Sequence, residues 1–192
     1  MNIPLMLTVL RILAIPVIVL LYILPFEWAH PAAAILLALA AFTDWLDGYL
    51  ARSLSQMTEL GAFLDPVADK LLVAIALVMV LSENLFPYLG LAAAIIIGRE
   101  IAISALREWM SMIGKRVSVK VTIIAKFKTT LQMVALIMLV WYHPGSYAWL
   151  TWCGPVLLYL AAILTIWTMF VYLKIAWPDF NSSQGSGIGD HR

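Results

Sequence analysis

An all-α protein that crosses a lipid bilayer six times is the fold class this sequence predicts, and three observations predict it. Of the 192 residues, 64% are hydrophobic and 12% charged, which is more apolar surface than a soluble domain of that length can bury. The apolar residues gather into six stretches, each close to the roughly 20 residues a spanning helix needs. Lysine and arginine are absent from alternate connections between those stretches, the asymmetry that orients a polytopic protein. A net charge of +1 excludes a strongly basic nucleic-acid binder, and a lone cysteine, Cys153, excludes an intrachain disulfide or a zinc–cysteine site.

The first stretch, 5–25, runs on too far for a cleaved signal peptide and is followed by no small-residue cleavage pattern. "PFEWAHP" breaks it from the second, 31–50, whose "AAAILLALAAFTD" is rich in the small residues that allow close helix packing. The third, 62–82, ends at "SENLFP", and the fourth, 87–107, opens with "LAAAIIIG". The fifth, 121–142, is closed by "YHPGSY" before the sixth, 149–173. The small-residue segments also suit a homodimer contact. Residues 1–176 are expected to form one membrane domain, and the Gly/Ser-rich segment 177–192 a polar, disordered tail.

The connections 25–31, 82–87 and 143–148 contain no lysine or arginine. All the basic residues fall on the other side or near helix ends facing it, so that side is expected to be cytoplasmic, with both termini inside. Trp28, Trp141 and Trp149 then mark the outer interface, where His30 and His143 also fall. The methionines and scattered aromatics read as lipid-facing or core packing.

Against this background "DWLDGYLARSLSQMTELGAFLDPVADK", residues 44–70, places four aspartates in and beside apolar helices. Asp44 and Asp47 are one turn apart on the second helix, and Asp65 and Asp69 one turn apart on the third. Antiparallel helices joined by a short loop bring both pairs to the same end. One aspartate at a bilayer centre costs about 2.5–3.5 kcal/mol, and four anions repel one another. Proton sharing or divalent cations relieve that repulsion. Oxygen-only ligands favour hard ions, Mg²⁺ or Mn²⁺, and two of them about 3.5–4 Å apart form a clamp for phosphoryl transfer. Gly48 and Ala51, one turn after the first two aspartates, and Gly61, one turn before Asp65, leave space beside the carboxylates. Arg52 offers a bidentate fork for phosphate. Pro66 requires the helix to start or kink nearby. Interfacial aspartates also cap helix ends, but that reading does not account for the ordered set.

Asp44, Asp47, Gly48, Ala51, Arg52, Gly61, Asp65 and Asp69 spell D-x2-D-G-x2-A-R-x8-G-x3-D-x3-D. That pattern resembles the signature of the CDP-alcohol phosphotransferases, with no departure. "NIPLMLTVLRI", "GREIAISALREWM" at 98–110 and "KFKTTLQMVAL" at 126–136 look like the phosphatidylglycerophosphate synthase branch of that family. The resemblance implies transfer of a phosphatidyl group from CDP-diacylglycerol to glycerol 3-phosphate, with release of CMP, at the cytoplasmic face of a bacterial inner membrane. It implies that Asp44, Asp47, Asp65 and Asp69 bind two divalent ions, Mg²⁺ or Mn²⁺, and that Asp69 is also the general base. It implies further that Gly48, Arg52 and Thr58 contact the CDP part, with Thr8 and Arg11 as secondary candidates.

An anionic acceptor needs its own cations. Arg99 and Arg107 share a helix face, and with Lys126 they are the residues favoured for the acceptor phosphate. Lys115, Arg116 and Lys120 read better as topology determinants or lipid-headgroup contacts, and Glu100 and Glu108 as partners of neighbouring arginines. The same chemistry with inositol phosphate, serine or phosphatidylglycerol remains an alternative. A cation transporter is disfavoured, because the aspartates gather at one face and no polar residue continues a path through 71–81.

Overall fold

A computed structural model of the chain describes residues 3–54, 59–84, 86–112, 123–143 and 147–185. They form six helices: α1 (Ile3–Ile23), α2 (Ala29–Leu54), α3 (Glu59–Ser82), α4 (Leu89–Met112), α5 (Ile123–Trp141) and α6 (Ala148–Gly185). Each contains one of the six apolar stretches or most of it. Helix is what such sequences adopt in lipid, because it satisfies every backbone N–H and C=O within the segment. The helices over Leu5–Ile23, Leu89–Met110 and Ala148–Val171 are long and apolar enough to cross a membrane; Ala29–Asp44 and Phe127–Trp141 are shorter apolar helices.

Helix α1 packs on α2 and α3, α5 packs on α2, α3 and α6, and α4 packs on α6 and α3. The core is built from one stripe per helix. Ala33, Leu37 and Ala40 of α2 alternate four and three residues apart and are buried, as are Ile15, Ile18 and Tyr22 of α1. Leu72, Ala76 and Val80 of α3, Ala92, Ala93 and Ile96 of α4, Leu136, Leu139 and Val140 of α5, and Leu158 and Ala162 of α6 complete it. The alanine-rich segments therefore serve the packing expected of them. Large side chains such as Leu10, Leu13, Leu20, Phe42, Trp167 and Phe170 are exposed instead. In lipid that inversion carries no penalty, since the surroundings are as apolar as the core.

Hydroxyls inside the bundle bond back to their own helix: Thr165 Oγ1 donates to the Ala161 carbonyl at 2.6 Å and Thr168 Oγ1 to that of Thr165 at 3.0 Å. One end of the bundle is fastened by aromatic and polar contacts. His30 Nε2 lies 3.5 Å from Glu83 Oε1, the His30 ring stands 4.5 Å from that of Tyr22 and 6.1 Å from that of His143, and Tyr159 Oη donates to the Pro87 carbonyl at 2.7 Å. The aspartate helices reach the opposite end, so the two histidines lie away from the carboxylates, as expected.

Two local features bear on the expected helix boundaries. Pro66 lies inside α3, which begins at Glu59, so the helix does not start there. Helix α6 continues to Gly185, past the expected limit at 173 and into the polar segment.

Candidate active site

The site is built on three helices. On α1, Thr8 and Arg11 are three residues apart, share a face and are both buried. Across from them stand Asp44 near the end of α2 and Asp65 and Asp69 near the start of α3. Thr8 Oγ1 donates to Asp65 Oδ1 at 2.6 Å. Arg11 Nη1 donates to both Asp44 Oδ1, at 2.9 Å, and Asp69 Oδ1, at 2.8 Å. One guanidinium nitrogen thus ties α1, α2 and α3 together.

The burial is lopsided. The Arg11 side chain is 0% exposed, whereas those of Asp44 and Asp69 are 42% and 46% exposed. A fully buried cation is held only by well-placed anions. The carboxylates present one oxygen inward to Arg11 and keep an accessible side for something else. The expectation that the two aspartate helices would bring their carboxylates together is met for these three residues. Thr8 and Arg11, the secondary candidates for the CDP part, hydrogen-bond to these same carboxylates. An arginine three residues from a threonine in an otherwise apolar helix was the available signal, because such a charge needs a partner within the bundle.

A second polar cluster joins α4 to α5. Arg99 Nη1 donates to Glu100 Oε1 at 2.7 Å, and Lys128 Nζ donates to the same oxygen at 3.2 Å. Ser104 Oγ donates to the Glu100 carbonyl at 2.6 Å. Arg99 is buried and Lys128 wholly so. Glu100 does pair with a neighbouring arginine, as its position suggested, and with a lysine as well. Two cations on one carboxylate leave the cluster net positive. Lys128 was not among the residues favoured for an acceptor, yet its position in sequence is telling. It continues the buried stripe of Gln132, Leu136 and Leu139 at helical spacing.

The side chains of Asp47, Arg52, Arg107 and Lys126, the surroundings of Gly48, and Thr58 altogether lie outside the described residues. Among the described residues no three ligating side chains are grouped so as to hold a metal ion as they stand; Asp44, Asp65 and Asp69 are engaged by Arg11 and Thr8 instead. Their chemistry nonetheless suits a hard cation. The donors are carboxylate oxygens without histidine or cysteine, and a cationic group is already shared between two of them.

The structure thus presents an apolar six-helix bundle in which partly open carboxylates from two helices meet. Residues 1–170 match the CDP-alcohol phosphatidyltransferase family, and the chain belongs to that family. Its curated relatives narrow the class. A protein of Pseudomonas fluorescens is 51% identical over 183 residues, 95% of this chain and 93% of its own length. One of Escherichia coli strain K12 is 52% identical over 178 residues, 93% of this chain and 96% of its own. One of Yersinia enterocolitica is 52% identical over 179 residues, 93% and 97% of the two chains. All three are named CDP-diacylglycerol–glycerol-3-phosphate 3-phosphatidyltransferase.

Proposed function

We infer that this protein transfers the phosphatidyl group of CDP-diacylglycerol to glycerol 3-phosphate, forming phosphatidylglycerophosphate and CMP in phospholipid synthesis. The observation that carries this reading is the half-identity to relatives of that name over more than nine-tenths of both chains. The site supports it independently, since carboxylates at one end of the bundle stand with a separate cationic cluster on α4 and α5.

In this reaction a hydroxyl oxygen of glycerol 3-phosphate attacks the lipid-side phosphorus. The bond from that phosphorus to the bridging oxygen breaks, and CMP leaves with that oxygen. Asp69 takes the proton that the hydroxyl loses. Its carboxylate is half exposed, so the acceptor hydroxyl can meet it from the open side. Thr8 orients Asp65 through its hydrogen bond. Asp44, Asp47, Asp65 and Asp69 would hold two divalent ions, Mg²⁺ or Mn²⁺, which would supply charge neutralisation at the phosphoryl oxygens. Gly48, Arg52 and Thr58 receive the CDP part, with Thr8 and Arg11 bordering it. Arg99, Arg107 and Lys126 form the acceptor-phosphate pocket, and the buried Lys128 belongs with them through its pairing with Glu100.

All six helices cross the bilayer with both termini in the cytoplasm. The absence of lysine and arginine from three alternate connections supports that orientation, and the bacterial relatives support an inner membrane with a cytoplasmic active site. The small-residue helix faces leave room for a homodimer.

CMP release by purified protein, given CDP-diacylglycerol and Mg²⁺ with glycerol 3-phosphate, serine, inositol phosphate or phosphatidylglycerol in turn, tests the assignment. Release is expected with glycerol 3-phosphate. Turnover confined to another acceptor would preserve the carboxylate chemistry and overturn the acceptor.

A further inference from the structure

We propose that Arg11 is a built-in counter-ion of the carboxylate cluster, which divalent ions must displace, and that the displaced guanidinium is taken up by the donor's pyrophosphate. Ion loading and donor binding are thereby coupled through one residue. The inference rests on the reading that these carboxylates hold divalent ions.

The geometry carries it. Arg11 Nη1 bridges Asp44 Oδ1 and Asp69 Oδ1 at 2.9 and 2.8 Å. Those two residues come from different helices, so the bridge does locally what a bridging metal ion does: it places one positive charge between two carboxylates that otherwise repel. An incoming cation competes for the same oxygens and meets the repulsion of the guanidinium. The Arg11 side chain is fully buried while the aspartates are nearly half open. An ion therefore approaches from the open side, and Arg11 cannot retreat into water. A buried guanidinium deprived of its carboxylates needs another anion. A pyrophosphate arriving at the open side of the aspartates supplies it, in the bidentate geometry that arginine favours. Thr8, which shares the buried face of α1 with Arg11, holds Asp65 separately, so the third carboxylate keeps its place during the exchange.

The test is Mn²⁺ titration of the purified protein in lipid nanodiscs, followed by the spin-resonance signal of unbound Mn²⁺, without donor and with CDP-diacylglycerol. Without donor, Arg11→Gln is expected to bind Mn²⁺ about two- to fivefold more tightly than the wild type, the size expected for removing one competing ion pair. The gain in affinity that CDP-diacylglycerol produces is expected to shrink in that variant. Arg11→Lys, a second variant should the first fail to fold, is expected to tighten Mn²⁺ binding by a smaller factor. Its ammonium retains the charge but lacks the fork. Equal or weaker Mn²⁺ binding in either folded variant would overturn the role of Arg11 while leaving the metal site intact. Failure of the wild type to bind Mn²⁺ even with CDP-diacylglycerol would overturn the metal reading and this inference together.

Discussion

At the scale of single residues, Asp69 and Lys128 make the most distinct demands. Asp69→Asn keeps the shape and the contact to Arg11 through its remaining oxygen, but it cannot accept the acceptor's proton. CMP release should fall by about a hundredfold to ten-thousandfold, the range for loss of a positioned general base, with the thermal unfolding midpoint little changed. Lys128→Met retains the bulk of a wholly buried side chain and deletes one of the two cations on Glu100. It should raise the KM for glycerol 3-phosphate more than tenfold, or more than about 1.4 kcal/mol of ground-state binding. The KM for CDP-diacylglycerol should stay near wild type. A parallel rise in both would mean that Lys128 supports the fold rather than the acceptor. These two residues also differ in how legible they were. Four aspartates at helical spacing in an oily chain announce themselves, because nothing in the bilayer rewards them. Lys128 stood among several basic residues with the same composition around it. It is set apart by the buried stripe it continues, and that becomes visible once the register of α5 is known.

At the scale of elements, the six helices were readable because lipid demands length and apolarity of each spanning segment. Their ends were less so. Helix α6 runs on to Gly185 through residues whose polarity alone suggests a loop, since a helix that has left the apolar segment needs no apolar side chains to propagate. Pro66 was expected to mark a start or a kink, and α3 begins two turns before it. The helix–helix seams depend on individual contacts. A Cβ added at Gly154 of α6 would meet Leu139 Cδ2 and Cγ of α5 at 3.0 Å. Gly154→Val should therefore destabilise the bundle by about 1–3 kcal/mol, the usual cost of overpacking. Thermal unfolding in detergent would register this as a lower midpoint, and Leu139→Ala introduced alongside should recover part of the loss. Gly90→Ala, where an added Cβ meets nothing within 4 Å, serves as the control and should leave the midpoint unchanged.

At the scale of the whole molecule, orientation connects the site to its substrates. The proposed reaction joins a donor in the membrane to an acceptor in water, so the carboxylate end is expected to stand at an interface, and the placement of basic residues supports a cytoplasmic one. With Cys153 replaced by serine, Asn84→Cys should react with a membrane-impermeant maleimide on intact spheroplasts. Ser118→Cys should react only after permeabilisation. The reverse pattern would turn the protein over. The proposed orientation rests on the basic residues alone. The joining of α1, α2 and α3 by one arginine was not legible in the sequence, because three-helix convergence is a property of packing that spacing along one helix does not contain.

The most direct test of the central claim follows radiolabelled glycerol 3-phosphate into organic-extractable lipid in proteoliposomes containing CDP-diacylglycerol. Wild type should transfer label in proportion to CMP formed. Transfer should stop on chelation, return with Mg²⁺ or Mn²⁺, and be lost in folded Asp44→Asn and Asp69→Asn. Label transfer that persists in both aspartate variants, or that ignores the chelator, would contradict the claim that the carboxylate cluster performs the reaction.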